Sequence, residues 1–598
     1  MNHRTLNGAL AAAVALLAAS AAVAADGIAM HGKPRLEPSA ALPYADPDAP
    51  QGGRMTFGAL GTFDTLNVMI PRGAYAPGLR DATFGNLVYE SLLERNADEP
   101  FSLYGFLASD VVVPPERDSV TFTIDERARF SDGEPVTSAD VAFTWRLLRD
   151  NGRPYMRTHY GKVEAVETPD GQTITFRFPS ANDRELPLIL GLMPILPKHD
   201  VDPEAFGRTT FAPAVGTGPY VVGDVEPGRS LTFERDPDYW GEGHRLNAGR
   251  YNADTVKFRF YRDETAMFEA FKTGEIDLYL EGDAGRWASA YDFPALADGR
   301  VARAEVPLGV PRGMYAFAFN TRRAPFDDVR VRQAINLLFD FPWINENLFH
   351  GELVRTDSYF ASSPLAATGT PASAGERALL AAYEGVVAPA VLDGTWLPPT
   401  LDGTGRDRAA VRRALALLAE AGWRIKDRTL VNGAGEPFEF ELLVATRDDE
   451  RLALAFSRLL DPVGIEAKVT FADPTQYSAR LIAFDFDMIR FYWPASLSPG
   501  NEQVHRWSSA AADMEGSFNF VGAREPAIDA MIEAMLAAED RKAFEDAVRA
   551  LDRVLLSGVY VVPLYHTPVQ WVAHATRLQM PERQSLYGIE PETWWVKP

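Results

Sequence analysis

The stretch Phe130-Ser-Asp-Gly-Glu-Pro-Val-Thr-Ser-Ala-Asp-Val-Ala-Phe-Thr-Trp145 contains the start of a helix. Within it, Thr137-x-x-Asp140 has the spacing of a capping box, with aspartate in place of the usual glutamate. Val141, Trp145 and Leu148 then recur at helical spacing and form one apolar face. We therefore expect a helix that begins just after Thr137 and buries this face.

Strand and helix signals are mixed along the rest of the chain. Residues 173–178 alternate between polar and apolar after the turn tripeptide Pro169-Asp-Gly171, and we expect them to pair with residues 163–166. Helices are predicted from about Asp407 to Ala421 and from about Asp540 to Leu556, where apolar residues recur at helical spacing. Such mixing predicts α/β or α+β lobes.

The composition is that of a large folded protein. The chain has 598 residues, of which 46% are hydrophobic and 24% charged, and Asp and Glu (82) outnumber Lys and Arg (59) for a formal charge of −23. Because a phosphate backbone would be repelled by this charge, no nucleic acid partner is expected. The chain has no cysteine, which excludes disulfides, a thiol nucleophile, cysteine-based metal sites and an N-terminal lipid anchor.

Residues 1–25 have the features of a secretory signal peptide. Arg4 provides a positive charge, residues 8–23 carry no charged side chain, and small residues follow at Ala22, Ala24 and Ala25. A transmembrane anchor is the alternative, but this run is short for a membrane core and the chain turns polar at once. We expect cleavage after Ala24 or Ala25 and export to the periplasm, without lipidation.

Sequence motifs of catalysis are missing. There is no G-x-S-x-G nucleophile elbow, no H-E-x-x-H zinc motif and no P-loop. No enzymatic activity, no cofactor and no metal are therefore expected. An exported hydrolase that acts on envelope peptides or glycans remains a remote alternative.

Aromatic residues are concentrated where a predicted strand passes into a loop. Arg490, Phe491, Tyr492 and Trp493 are followed by a loop that begins at Pro494. Such a group suits a cleft for peptides or sugars, because flat rings bury area at small entropic cost and arginine binds carboxylates. The alternative is that Trp493 belongs to the core of the strand.

Several blocks resemble one family, the periplasmic dipeptide/oligopeptide-type solute-binding proteins of ABC importers (family 5, cluster C). The stretch 130–145 is similar to the family's F-x-DG-x-P-x-T-A-x-DV block. Five further blocks match in order, namely Gly216-Thr-Gly-Pro-Tyr220, Glu234-Arg-Asp-Pro-Asp-Tyr-Trp240, Pro325-Phe-Asp-Asp-Val-Arg-Val-Arg-Gln-Ala334, Leu418-Ala-Glu-Ala-Gly-Trp423 and Val561-Val-Pro-Leu-Tyr565. Other stretches, among them Met30-His-Gly-Lys-Pro34 and Ser498-Pro-Gly-Asn-Glu-Gln503, look like the YejA-like branch.

The resemblance implies an α/β fold of the type II-like periplasmic-binding-protein class, with two main lobes, an extra domain and a ligand in the interdomain cleft. The implied partners are an inner-membrane ABC permease with a cytoplasmic ATPase, and the receptor is expected to be a monomer. The implied division is residues 26–73, 212–315 and 561–598 for domain I, 74–211 for domain II and 316–560 for domain III.

One position departs from the family pattern. Oligopeptide binders hold the peptide ammonium with an Asp in the segment W-x-A-D-Y, whereas Trp493-Pro-Ala-Ser-Leu497 has Ser496 at that place. Either another acid such as Asp64 or Glu502 takes the role, or the ligand lacks a free amino terminus. The candidate ligands are thus a peptide or peptide conjugate (oligopeptide, microcin C-like or muropeptide) and, alternatively, an oligosaccharide. The expected ligand-binding residues are Phe63, Asp64, Tyr75, Tyr315, Arg490, Phe491, Tyr492, Trp493, Ser496, Asn501, Glu502 and Trp507.

Overall fold

The computed structural model describes residues 26–81, 83–99, 101–179 and 183–598. The predicted signal peptide, residues 1–25, lies outside the described residues. In the part of the chain that is described, no helix has the length and apolar character needed to cross a membrane.

A seven-stranded mixed sheet is built from well-separated parts of the chain. The strand Arg54–Leu60 lies near its middle and runs parallel to Thr255–Tyr261, in the register Arg54↔Thr255 to Leu60↔Tyr261. In spatial order the strands are Val301–Pro307, Val569–Ala575, Leu278–Glu281, Arg54–Leu60, Thr255–Tyr261, Ser230–Arg235 and Tyr220–Glu226.

A five-stranded sheet forms the centre of the second half of the chain. The strand Met488–Trp493 pairs antiparallel with Met314–Phe319, which places Trp493 opposite Met314 and Tyr492 opposite Tyr315. In spatial order the strands are Glu466–Phe471, Glu439–Val444, Met488–Trp493, Met314–Phe319 and Val561–Pro563.

The smaller sheets include the predicted hairpin. Ala165–Glu167 pairs antiparallel with Thr173–Arg177, as the turn at Pro169-Asp-Gly171 predicts. A four-stranded sheet has the order Ala108–Val112, Ser119–Ile124, Thr173–Arg177 and Ala165–Glu167, and a three-stranded sheet has the order Gly27–Ala29, Ser102–Gly105 and Leu93–Arg95. Two-stranded pairs join Val354–Arg355 to Tyr565–His566, Arg424–Lys426 to Thr429–Val431, and Leu578–Gln579 to Trp595–Val596.

The predicted helices form close to their expected bounds. The helix Ser138–Asn151 begins after Thr137, whose backbone N–H and hydroxyl donate to the Asp140 carboxylate at 2.9 and 2.6 Å. The α-helices are Ser138–Asn151, Pro154–Tyr160, Leu186–Gly191, Glu264–Thr273, Ala284–Ser289, Pro294–Ala297, Val329–Asn336, Phe341–Phe349, Ala374–Leu380, Pro389–Leu392, Arg408–Glu420, Arg447–Leu460, Pro474–Ile482, Glu502–Trp507, Pro526–Ala537 and Arg541–Gly558. Together with the mixed sheets they confirm the α/β fold class.

The chain passes between the two large sheets at two short connections. Residues 308–313 join Val301–Pro307 of the seven-stranded sheet to Met314–Phe319 of the five-stranded sheet, and residues 564–568 lead back from Val561–Pro563 to Val569–Ala575. Gly313 has a φ of 68°, and a Cβ at this position would lie 2.4 Å from the Trp493 carbonyl oxygen. Glycine is therefore needed where the first connection meets the end of the strand Met488–Trp493.

The early part of the chain packs into the core of the second half. Met30 and Phe101 belong to an apolar cluster whose other buried members all lie between residues 314 and 561. The His31 ring lies 4.4 Å from the Phe544 ring, and the Arg541 guanidinium lies 3.9 Å from the centre of the Phe101 ring. These contacts bring the N-terminal segments close to the loop after Trp493.

Candidate functional site

The loop of residues 494–501 connects the strand Met488–Trp493 to the helix Glu502–Trp507. Because successive side chains of a strand point to opposite faces, Tyr492 is 42% exposed while Trp493 is only 2% exposed. The strand therefore ends with one ring directed outward and the next ring directed into the core.

Trp493 and Trp507 form part of the core behind this loop. Their ring centroids are 5.1 Å apart, and the Trp493 indole N–H donates to the Phe518 carbonyl oxygen at 3.1 Å. Phe491 packs edge-on against Trp493 at 4.9 Å. This burial agrees with the core alternative for Trp493, so its ring supports the loop from beneath and does not form a cleft wall in this structure.

Arg490 and Tyr315 lie together on the same sheet. The Arg490 guanidinium forms an ion pair with Asp449 and lies 4.4 Å above the Tyr315 ring. Burial raises the pKa of Tyr315 to about 12, although nearby Arg490 opposes this shift. The positive charge of Arg490 thus already has a protein partner, and a ligand carboxylate would have to compete with Asp449.

The predicted residues of the early segment are divided between the core and the surface. Phe63 is 2% exposed and packs against Phe260 at 4.8 Å. The Asp64 carboxylate accepts a hydrogen bond from the Ala74 N–H at 2.7 Å, which ties it to the turn that it stabilises. Tyr75 is 44% exposed.

Ser496 and Glu502 line one cavity of about 390 Å³, which we call the Ser496 cavity. Asn501 lies between them in the loop but is not among the lining residues. The cavity brings the loop together with three N-terminal segments, and its lining residues are Met30, Arg95, Phe101, Leu103, Glu185, Leu188, Ile189, Leu192, Pro494, Ala495, Ser496, Ser498, Glu502 and Arg506.

Two carboxylates meet in the Ser496 cavity. Burial, followed by the nearby charges of Glu502 and Asp183, raises the pKa of Glu185. The Glu185 carboxylate lies so close to Gly500 that a Cβ there would be 1.6 Å from its Oε1 atom. Glu502 accepts hydrogen bonds from the Gly500 N–H at 3.0 Å and from the Gln503 amide at 2.9 Å. A cation between Glu185 and Glu502 would relieve their mutual repulsion.

Two guanidinium groups face the same space. Arg506 donates from Nη1 to the Pro494 carbonyl oxygen at 2.6 Å, and burial lowers its pKa. Arg95 is exposed and lines the Ser496 cavity from the N-terminal side. Acidic and basic groups together suit a ligand that carries both an ammonium and a carboxylate.

Glu185, Arg95 and Arg506 were not predicted from the sequence. Arg506 follows Glu502 by one helical turn, so the i, i+4 spacing could have indicated it. Glu185 and Arg95 lie far from the loop in sequence and carry no motif, and only the folded chain brings them to it. Among the described residues, no group of three or more His, Asp or Glu side chains could hold a metal ion.

Tyr75 lines a second cavity, of about 700 Å³, which also contains Glu592 and which we call the Glu592 cavity. Arg95 lines both cavities, so they adjoin at this side chain. The Glu592 cavity is formed by N-terminal segments, by Arg250 and Gln570, and by the C-terminal residues 587–592, and no residue of the loop 494–501 lines it.

Comparison with known proteins gives a consistent result. The family model described as bacterial extracellular solute-binding proteins, family 5, middle, matches residues 102–515. A putative binding protein of Brucella suis is 47% identical over 573 residues, covering 95% of this chain and 93% of that one. The peptidoglycan-binding protein YepA of Agrobacterium fabrum is 42% identical (95% and 94% covered), and the probable peptide-binding protein YejA of the same organism is 37% identical (92% and 90% covered).

Solved structures share the fold at low sequence identity. The oligopeptide-binding protein AppA of Bacillus subtilis, in complex with a nonapeptide, aligns with a TM-score of 0.62 and 20% identity over 92% of this chain and 100% of its own. NikA of Brucella suis, in complex with Fe(III)-EDTA, aligns with a TM-score of 0.68 and 21% identity over 91% and 100%. These matches confirm the periplasmic-binding-protein architecture.

Proposed function

The chain belongs to the bacterial extracellular solute-binding proteins of family 5, in the YejA-like branch, and from that membership we propose that its ligand is a peptide or peptide conjugate. The protein is a solute-binding protein of the ABC transport type, and its family and structural neighbours are binding proteins, not enzymes. The proposed receptor works as a periplasmic monomer and delivers its ligand to an inner-membrane permease powered by a cytoplasmic ATPase.

The observation that carries the peptide proposal is the pair of carboxylates, Glu185 and Glu502, beside Ser496. Ser496 is neutral and cannot form an ion pair with a ligand ammonium. Two carboxylates supply that negative charge. Glu185 comes from an N-terminal segment, and Glu502 begins the helix that follows the loop. Arg95 and Arg506 then provide partners for a ligand carboxylate.

The names of two relatives support the same ligand class. One is described as a peptidoglycan-binding protein and another as a probable peptide-binding protein. A muropeptide or a simple oligopeptide would each present an ammonium and carboxylates to the Ser496 cavity. An uncharged oligosaccharide would supply no cation to the half-buried Glu185 and Glu502 carboxylates, and their mutual repulsion would remain.

Closure of the cleft is proposed to occur at the two connections between the large sheets. Residues 308–313 and 564–568 are the short links between these sheets, so small backbone rotations there would move one lobe relative to the other. The domains predicted from the sequence are proposed as the rigid bodies that move.

Mass spectrometry of released ligand tests the proposed class. Protein purified from its native periplasm and then denatured is expected to release a compound that contains amino acids and a free amino group. Protein with both Glu185→Gln and Glu502→Gln, purified in parallel, should carry less of it. Release of an oligosaccharide without amino acids would contradict the peptide proposal.

Ligand binding is also expected to release protons. The pKa of Glu185 is raised above the ordinary value of 4.5, and a bound ammonium would lower it again. Affinity should therefore fall as the pH is lowered through the raised pKa of Glu185, because the protonated carboxyl must lose its proton to pair with the ligand. Calorimetry in two buffers of different ionisation enthalpy measures this release, and Glu185→Gln should abolish the buffer dependence. Buffer-independent heats in the unmodified protein near that pKa would contradict a role for Glu185.

A further inference from the structure

In one part of the Glu592 cavity, three carboxylates lie near a single arginine, Arg250. Glu94 and Glu592 each lie 3.4 Å from Arg250 Nη2, the outer limit of hydrogen-bond distance, and Glu590 accepts a hydrogen bond from the Ser585 hydroxyl at 2.8 Å. All four charged side chains line the cavity. One guanidinium therefore faces three carboxylates.

One oxygen of the Glu592 carboxylate has no hydrogen-bond partner among the described residues. The Glu592 side chain is only 7% exposed, and its Oε2 atom is buried without a hydrogen bond. Burial raises the pKa of both Glu590 and Glu592, and in Glu590 the neighbouring Glu592 adds to the shift. A buried carboxylate oxygen without a donor is costly, so a cationic group of a ligand would stabilise this end.

Two other arginines in the cavity have no acidic partner. Arg80 donates to the Ser91 hydroxyl at 3.2 Å and to the Leu192 carbonyl oxygen at 2.8 Å, and burial lowers its pKa. Arg153 donates to the Val68 carbonyl oxygen at 2.9 Å and covers the Tyr75 ring at 4.7 Å. Within the described parts of the chain, no carboxylate lies within 4.0 Å of either guanidinium. The cavity thus holds two guanidinium groups without an acidic partner in the described chain, Arg80 and Arg153, besides the carboxylates that share Arg250.

We infer that the Glu592 cavity binds a group that carries both a carboxylate and a cationic amine, with the carboxylate at Arg80 and Arg153 and the amine at Glu590 and Glu592. Its volume of about 700 Å³ is sufficient for an amino acid or a short peptide end. Because Arg95 lines both cavities, a single extended ligand can occupy them together, and only this assignment to one ligand rests on the proposed function.

Three probes of similar length separate the charges. They are 6-aminohexanoate with both groups, hexanoate with the carboxylate alone and hexylamine with the amine alone. Calorimetric titration at millimolar concentration should show 6-aminohexanoate binding about tenfold or more tightly than either single-charge probe, since each lost charge-assisted hydrogen bond costs about that factor. Equal affinities, or no binding of 6-aminohexanoate, would overturn the inference.

Single substitutions test which residues of the Glu592 cavity bind the amine and which bind the carboxylate of 6-aminohexanoate. Glu592→Gln should lower the affinity for 6-aminohexanoate towards that for hexanoate, because only Glu590 remains at the amine. Arg153→Gln should lower it towards that for hexylamine, because only Arg80 remains at the carboxylate. Glu590→Gln provides a second test of the amine end if Glu592→Gln fails to fold, and thermal unfolding of each variant checks this. Glu533→Gln, which removes an exposed carboxylate on the helix Pro526–Ala537, is the charge-matched control.

If Glu502→Gln weakens the binding of 6-aminohexanoate and Glu592→Gln does not, the probe binds in the Ser496 cavity. The inference is then wrong, while the proposed function stands.

Discussion

Replacement of Trp493 by alanine is expected to destabilise the fold by about 3–5 kcal/mol, because a buried aromatic ring would be removed from a packed core. The ring is 2% exposed, contacts Trp507 and Phe491, and donates a hydrogen bond to the Phe518 carbonyl oxygen. Denaturant unfolding of the ligand-free protein measures this loss.

The neighbouring residue offers a matched control for this prediction. Tyr492 lies on the opposite face of the same strand and is 42% exposed. Its replacement by alanine should change the free energy of unfolding far less than Trp493→Ala does. If Trp493→Ala leaves the stability of the ligand-free protein unchanged but weakens ligand binding, the ring is a cleft wall and its assignment to the core is wrong.

The double variant Glu185→Gln/Glu502→Gln is expected to lose about 100-fold or more in affinity for a ligand with a free ammonium, since each charged hydrogen bond contributes about 1.5–3 kcal/mol. The ligand-free protein should not lose stability. Two like charges oppose each other in the Ser496 cavity, and burial already disfavours the ionised form of Glu185. Calorimetry and thermal unfolding of the same preparations measure both quantities.

This opposite behaviour of affinity and stability distinguishes a binding role from a structural one. Loss of stability in parallel with loss of affinity would show that the carboxylates support the fold. Glu533→Gln should change neither quantity, because this exposed carboxylate lies on the helix Pro526–Ala537 and lines neither cavity.

The sequence predicted those helices and strands that are fixed by residues close to one another along the chain. The capping pair Thr137 and Asp140 fixes the start of its helix, and the apolar spacing after Asp540 extends as a helix to Gly558. The turn at Pro169-Asp-Gly171 likewise fixes the register of its hairpin. In each case the interacting residues are close in sequence, so the pattern contains most of the information.

The candidate site was predicted only in part because its members are far apart in sequence. The loop after Trp493 could be found, since the aromatic residues before it and the family block mark it. The loop contributes Ser496, and the helix that follows it contributes Glu502. Glu185 and Arg95 reach the same cavity through the tertiary fold and have no local signal. The aromatic pattern could not separate Trp493 from Tyr492, because two of the rings that bury Trp493, those of Trp507 and Phe520, come from segments outside the strand.

We propose that the protein holds a peptide-class ligand by its ammonium group, which lies between Glu185 and Glu502. The most direct test compares the ligand recovered from the native protein with the same compound after N-acetylation, by calorimetric titration of ligand-free protein. Acetylation removes the positive charge and should weaken binding by about tenfold or more. Equal affinity of the two forms, or a recovered ligand without an amino group, would contradict the account.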